Sequence, residues 1–435
     1  MAARASPPVS IVAAILIAVS ACTAAPEGNT APSPRADGGP TAVATPASPT
    51  KTTLTSVRIE PPPGGSFRVR GSFPRVASSC KDHDQPVLLA RYPGELSVER
   101  SDDGTLAITV TLPFEQYLEG IAEVPPSWPR EALEAQAIAA RSYALATTGW
   151  DGTEGETLDT PICATTACQV YRGIPVPRVP GIGRWYAAVR RTAGKVLLYR
   201  GQPADTVYFS TSNGNTYGNE DVFGSDPLPY LRPVIERDDG ASPTSRWEVS
   251  LPFRHVARFL HAAGEWRRGR PITSLRMEGS DVMISGGDRS KVLDLGTFRD
   301  SVNGWAPCLL PSRYPPGALP LTIPSRWLTI SSAGGTMVAT GRGWGHGVGM
   351  VQWGAYGKAR RGFSASMILA SYYGGLRPRN YPEPGLIHVE VASGITKLRI
   401  RPSGSGARLE GTTLSTETLL ITGGDELTVA GAATP

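Results

Sequence analysis

An α+β fold is predicted by three features of this 435-residue chain. Alternating apolar and polar residues at 96–98 and again at 106–112 flank an Asp103-Gly104 turn, the signature of a β-hairpin. The stretch 129–147, PREALEAQAIAARSYALAT, is dense in alanine and reads as a helix. Alternating runs return after Gly385 (Ile387, Val389, Val391; Leu398, Ile400; Leu419, Ile421; Leu427, Val429) and predict a small β-rich extension. Hydrophobic residues make up 40% and charged residues 19% of the chain, enough apolar material for a sizeable core. The 49 glycines and 40 prolines predict abundant turns.

Taken in order, residues 1–22 read as an export signal. Arg4 supplies a positive start, and IVAAILIAV at 11–19 is a nine-residue apolar core, too short to span a bilayer. It leads into Val19-Ser20-Ala21-Cys22, which resembles the bacterial lipobox, so Cys22 is expected to carry the lipid of a membrane-anchored lipoprotein. An ordinary cleavage site beside a chance cysteine is the alternative. From 23 to 50, 23 of 28 residues are Ala, Pro, Ser, Thr or Gly, a composition that cannot offset its chain entropy by burial. Residues 23–53 are therefore expected to be a linker, 54–385 the main domain and 386–435 the β extension. Ser127 is the expected N-cap of the alanine-rich helix, and alanines on all its faces predict a central, buried helix. A short helix is expected over 185–192, a hairpin pairing 195–199 with 206–210 around Gly201-Gln202, and a helix over 364–373 ended by Gly374. Beyond the N-terminus no apolar run approaches 18 residues, which excludes a polytopic membrane protein. A formal charge of +5, scattered along the chain, gives no footprint for nucleic acid.

Four cysteines besides Cys22 remain: Cys80, Cys163, Cys168 and Cys308. In an exported chain an even number reads as disulfides, with three possible connectivities. The CATTAC spacing makes Cys163–Cys168 the simplest local pair and leaves Cys80 with Cys308. A metal site is the weaker reading, because two thiolates need partners and no histidine is near in sequence. No metal and no cofactor are expected.

Three segments read as chemistry rather than packing. They are YLEGIAEVP at 117–125, leading through Trp128 into the helix that holds Gln136 and Arg141; YFSTSNG at 208–214; and GRGWGHGVGMVQWGA at 341–355. With EALEAQAIAARSYA, CQVYRG at 168–173 and Thr297-Phe298-Arg299, they make the chain resemble the SpoIID/LytB family of bacterial cell-wall and sporulation proteins. The likeness runs from about residue 96 to 385, and its pieces fall in family order. It implies a lytic transglycosylase that cleaves peptidoglycan glycan strands, or an amidase enhancer that works beside a cell-wall amidase. It places the family's catalytic acid at Glu123, with Val124 where sporulation members carry Met.

The residues support the same chemistry. Hydrolysis of a glycosidic bond needs two carboxylates. A lytic transglycosylase manages with one, because the 6-hydroxyl of muramic acid is the internal nucleophile and one Glu serves as acid, then base. Such a Glu must hold its proton near neutral pH, which the apolar neighbours Ala122, Val124, Pro125, Pro126 and Trp128 favour. A Glu that caps the next helix or pairs with Arg141 is the structural alternative. Glu115 and Glu119 are expected to be solvated. His346, amid glycines that let backbone approach a ligand, is expected in the site with Gln352; a tight turn whose His packs on Trp344 or Trp353 is the alternative. The GxGxxG dinucleotide pattern and the GK[ST] phosphate loop are absent. Tyr117, Gln136, Arg141, Tyr171, Ser210, Ser212 and Asn213 are the remaining candidates for substrate binding. The disulfide loop is expected to hold 169–171 beside the groove, while His83, His255, His261 and His388 stand alone.

Overall fold

The structure, a computed structural model, describes residues 55–72, 90–153, 157–165, 167–174, 179–314, 323–414 and 418–431. The signal segment with Cys22, the whole linker at 23–53, and Cys80 lie outside the described residues. The chain is mixed helix and strand, as α+β requires.

Two sheets carry the main core. In the seven-stranded sheet the order is Thr412–Thr413, Arg408–Leu409, Ser56–Glu60, Glu95–Arg100, Leu106–Pro113, Leu386–Ile395, Thr157–Cys163. The expected hairpin is its centre: Glu95–Arg100 pairs antiparallel with Leu106–Pro113, and Gly104 takes the positive φ (80°) of the turn. In the five-stranded sheet the order is Thr428–Gly431, Leu419–Thr422, Lys397–Pro402, Phe67–Ser72, Ala90–Tyr92. The C-terminal strands therefore do not form an extension of their own. Leu386–Ile395 lies between Leu106–Pro113 and Thr157–Cys163, and Lys397–Pro402 pairs with Phe67–Ser72. The apolar faces of these C-terminal strands are buried in the same core as the N-terminal ones.

Among the described residues eight helices are assigned: α1 (Phe114–Gly120), α2 (Arg130–Thr147), α3 (Gly183–Arg191), α4 (Asn219–Phe223), α5 (Phe253–Ala262), α6 (Leu295–Leu309), α7 (Gln352–Arg360) and α8 (Ala365–Tyr372). The central helix α2 is buried on nearly every face from Ala132 to Leu145. Ala132, Ala137, Ala140 and Ala144 face the main core, while Ala135, Ile138 and Ala139 face a second cluster containing Met350, Ile368 and Tyr373. Small side chains on all sides let both layers approach the helix axis. Ser127 is not its cap. Pro129 holds that position without a side-chain bond, preset by its ring for the helix entry. The helix expected over 364–373 is α8, with Ser364 as its N-cap, accepting from the Met367 N–H, and with Gly374 following at φ 57°.

The hairpin expected over 195–210 is only half present. Lys195–Tyr199 pairs with Gln202–Pro203, but Tyr208–Phe209 leaves to pair in parallel with Met350–Val351. That two-residue pairing joins YFSTSNG to the glycine-rich segment, and Gly349 makes it possible. Its φ is 75°, and a Cβ there would fall 2.0 Å from the Val207 carbonyl oxygen. Residues 247–341 fold around a core of their own, built from Trp247, Leu251, Phe259, Phe298 and Met337. Its two three-stranded sheets were not foreseen.

Candidate active site

Glu123 is set by the short link between α1 and α2. Gly120 ends α1 against the ring of Tyr171, where a Cβ would fall 2.2 Å from a ring carbon. Pro125 and Pro126 stiffen the next turn, which the Trp128 N–H closes on the Pro125 carbonyl at 3.0 Å. Val124 and Trp128 are buried, and Glu123 itself is half-buried. Its Oε1 accepts the backbone N–H of Val170 at 3.0 Å, and its Oε2 accepts the hydroxyl of Tyr208. Burial pushes the carboxyl pKa up. The bonds from Tyr208 and Val170 and the nearby Arg172 guanidinium pull it down, but burial wins. A carboxyl so placed keeps its proton to higher pH than a surface glutamate, as a general acid must.

The partners of Glu123 are themselves fixed. Gln169 Nε2 donates to the Tyr208 hydroxyl oxygen at 3.1 Å and to the Ala140 carbonyl of α2 at 3.0 Å. Gln169 Oε1 accepts from the Tyr117 hydroxyl at 2.8 Å. Cys163 and Cys168 form a disulfide, with Cα atoms 5.5 Å apart, immediately before Gln169 and Val170. The expected pairing is thus present, and the closed loop sits next to the two residues that contact Tyr208 and Glu123. Cys308 is also disulfide-bonded, while its expected partner Cys80 lies outside the described residues.

His346 is turned inward. Its Nδ1 accepts from the Val348 N–H at 3.1 Å and its Nε2 lies 2.9 Å from the Tyr208 carbonyl oxygen, so the neutral tautomer with hydrogen on Nε2 satisfies both contacts. Burial lowers its pKa to about 4. The ring packs on Phe209 and Phe223, not on Trp344 or Trp353. Both nitrogens are occupied by backbone, and the residue holds the strand that carries Tyr208.

Gln136 and Gln352 are brought together by α2 and α7. The Gln352 Nε2 lies 3.5 Å from the Gln136 Oε1, and the Gln136 Nε2 is buried without a protein partner. Gln136 stands one helical turn before Ala140, on the α2 face that receives Gln169. Next along α7, Trp353 lies against Trp128 with ring centroids 4.9 Å apart, and Tyr356 touches both. The Trp353 N–H donates to the Ser210 carbonyl at 3.1 Å, which ties Ser210 to the same wall.

Other expected site residues are held by the protein. Ser212 is buried and donates to Asp239 at 2.7 Å, while Asn213 donates to the Tyr217 hydroxyl at 2.8 Å. Tyr171 is stacked between Tyr117 and Tyr92. Arg141 is fully buried and does not pair with Glu123. Its guanidinium meets Glu115 and Glu383, each at 2.5 Å, and Thr192 at 3.2 Å. Glu115 and Glu119 are accordingly ion-paired rather than merely solvated, Glu119 with Arg190 at 3.0 Å. Sequence reasoning did not select Tyr208, Gln169 or Arg172. Tyr208 opens the YFSTSNG segment, and that position was the available signal. Among the described residues no group of three or more His, Cys, Asp or Glu could hold a metal ion.

The family profile described as Stage II sporulation protein (SpoIID) matches residues 102–199, the stretch holding α1, Glu123, α2 and the disulfide loop. An uncharacterized protein of Brachyspira hyodysenteriae is 29% identical over 294 residues, covering 66% of this chain and 71% of that protein. The amidase enhancer of Bacillus subtilis is 28% identical over 300 residues, 60% of this chain but only 39% of that longer protein. The stage II sporulation protein D of Bacillus subtilis is 29% identical over 279 residues, 61% of this chain and 74% of that protein. With the ordered motifs and the site they build, these matches make the chain similar to the SpoIID/LytB family, with the family profile itself matched over residues 102–199.

Proposed function

We propose that this protein acts on the bacterial cell wall, cleaving peptidoglycan glycan strands between N-acetylmuramic acid and N-acetylglucosamine by a lytic transglycosylase reaction. The observation that carries this reading is Glu123: one half-buried carboxyl, its pKa raised by burial, held by Tyr208 and Val170, with no second carboxylate bonded to it among the described residues. Protonated Glu123 gives its proton to the glycosidic oxygen as the bond to muramic acid C1 breaks. The muramic 6-hydroxyl closes on C1 and returns its proton to the Glu123 carboxylate, leaving a 1,6-anhydro end and a regenerated acid. No water is consumed, so no second carboxylate is needed to activate one. Trp353 and Tyr356, partly exposed beside the buried Trp128, supply an aromatic face suited to N-acetylated sugars.

Purified protein incubated with glycan strands should release fragments with 1,6-anhydromuramic ends, read by mass spectrometry. A second reading follows from the amidase-enhancer relative: a glycan-binding protein that positions or stimulates a cell-wall amidase. It predicts no anhydro ends and a faster partner amidase. In either case we place the protein in the cell envelope, tethered outside the cytoplasm through a lipid on Cys22. Among the described residues no helix is long and apolar enough to cross a membrane. Cys22→Ala should release the protein from the membrane fraction or stall its processing. Unchanged retention would count against the anchor.

A further inference from the structure

Residues 236–239 touch two of the motif segments at once, and the proposed catalysis leaves them unused. The Glu236 N–H donates to the Gly214 carbonyl at 2.9 Å, and Asp239 Oδ2 accepts the Ser212 N–H at 2.8 Å and the Ser212 hydroxyl at 2.7 Å. These bonds hold YFSTSNG. The same short segment also holds α7. Lys358, in the last turn of α7, brings its Nζ to Glu236 Oε2 at 2.8 Å, to the Tyr372 hydroxyl of α8 at 2.9 Å and to Asp238 Oδ2 at 3.4 Å. Tyr372 in turn donates to Glu236. The three ammonium hydrogens therefore meet three acceptors. The Glu236 side chain is fully buried, and that of Lys358 is 8% exposed.

The sequence of α7 fits it to this seat. A Cβ at Gly354 would collide with the Tyr372 hydroxyl and the Glu236 carboxylate, and one at Gly357 with the Asp238 carbonyl. Glycine is unfavourable inside a helix, so both positions trade helix stability for close approach. A buried ion pair is likewise a poor source of net stability, because both charges lose their water and an apolar pair of similar volume is often as stable. What such a pair does supply is a single arrangement. A shift of α7 that parted Lys358 from Glu236 would leave two buried charges without partners, which is strongly unfavourable. The other end of α7 opens with Gln352 and Trp353. Trp353 lies against Trp128, in the turn that follows Glu123, and its N–H donates to the Ser210 carbonyl.

We propose that Glu236 and Lys358 are positioning residues: their buried charges lock α7 in one register and so hold Trp353 against Trp128, beside the turn that carries Glu123. The use of that aromatic wall by a glycan rests on the function proposed above. The lock itself rests on the bonds among α7, α8 and 236–239.

The test separates position from stability. Lys358→Met alone leaves Glu236 buried without its cation and should unfold at a markedly lower urea concentration than wild type. Glu236→Leu/Lys358→Met removes both charges at similar volume and should regain most of that loss. It should still lack the lock. Its near-UV circular dichroism should show a weakened form of the band that Trp353→Phe identifies as the Trp128–Trp353 contact. Its affinity for purified glycan strands should fall about 10-fold, the scale of one aromatic contact. A double variant with the wild-type band, or with wild-type affinity for strands, would overturn the proposal. So would a double variant that fails to fold, since the pair would then serve stability itself. If wild type forms no anhydro ends while the double variant shows both losses, the catalytic reading fails and the lock stands. If wild type does not bind strands either, the proposed function fails and the band alone decides the lock.

Discussion

The Tyr208 hydroxyl donates to Glu123 Oε2 while the backbone carbonyl of the same tyrosine is held by His346 at 2.9 Å. The glycine-rich segment thereby positions the hydrogen bond that tempers the acidity of Glu123. Burial raises the carboxyl's pKa and the Tyr208 bond lowers it. Tyr208→Phe should therefore raise that pKa further and shift the basic limb of the pH–rate profile upward. With the donor gone, the rate should fall roughly 10-fold, the scale of one hydrogen bond to a charged group. A basic limb that does not move would show that Tyr208 does not tune Glu123.

The disulfide loop is the second support of the carboxyl. Opening Cys163–Cys168 by substituting both cysteines with serine should cost about 2 kcal/mol of stability, the loop-closure value for so short a ring. Because Val170 and Gln169 follow the loop directly, cleavage of glycan strands should fall by more than glycan binding. Thermal unfolding and binding measured on the same preparation separate the two effects.

His346 carries a pH signature. Above about pH 6.5 its ring is neutral in both folded and unfolded chains. Between about 6.5 and the folded value of about 4, the unfolded chain takes up a proton that the folded site refuses. Stability should thus fall as pH drops through that window, by at most about 3 kcal/mol, and this contribution should be flat below it. His346→Gln should remove that slope in a series of thermal melts. An identical slope in the variant would place the titration elsewhere.

Arg141 is expected to matter for folding rather than for substrate. Arg141→Met leaves Glu115 and Glu383 facing each other without their shared cation, and should cost about 3 kcal/mol or more in urea unfolding. A variant of native stability with weakened glycan binding would restore Arg141 to the binding surface.

Much of this was legible from local pattern. The hairpin at 95–113, the alanine-rich α2, the helix ended by Gly374 and the Cys163–Cys168 pair each have a signature within a few residues. Glu123 was visible through its apolar neighbours and the family likeness. The rest depends on contacts between distant segments. Nothing local tells that Tyr208–Phe209 pairs with Met350–Val351, more than a hundred residues on, or that Leu386–Ile395 inserts between two N-terminal segments. Arg141 and His346 look like ligand-binding residues in sequence. Only the fold shows their polar atoms already taken by Glu115, Glu383 and backbone. Of the module at 247–341 the motifs touch only Thr297-Phe298-Arg299 and the Gly341 end, and its sheets join strands far apart in sequence.

The central claim is that Glu123 alone supplies and recovers the proton. Glu123→Gln keeps the shape of the side chain and removes its titratable proton. The measurement is the rate at which this variant forms 1,6-anhydromuramic ends on purified glycan strands. The account predicts a folded protein that still binds strands and makes anhydro ends about 100-fold more slowly, or worse, than wild type. A folded Glu123→Gln protein that forms them at the wild-type rate would contradict it.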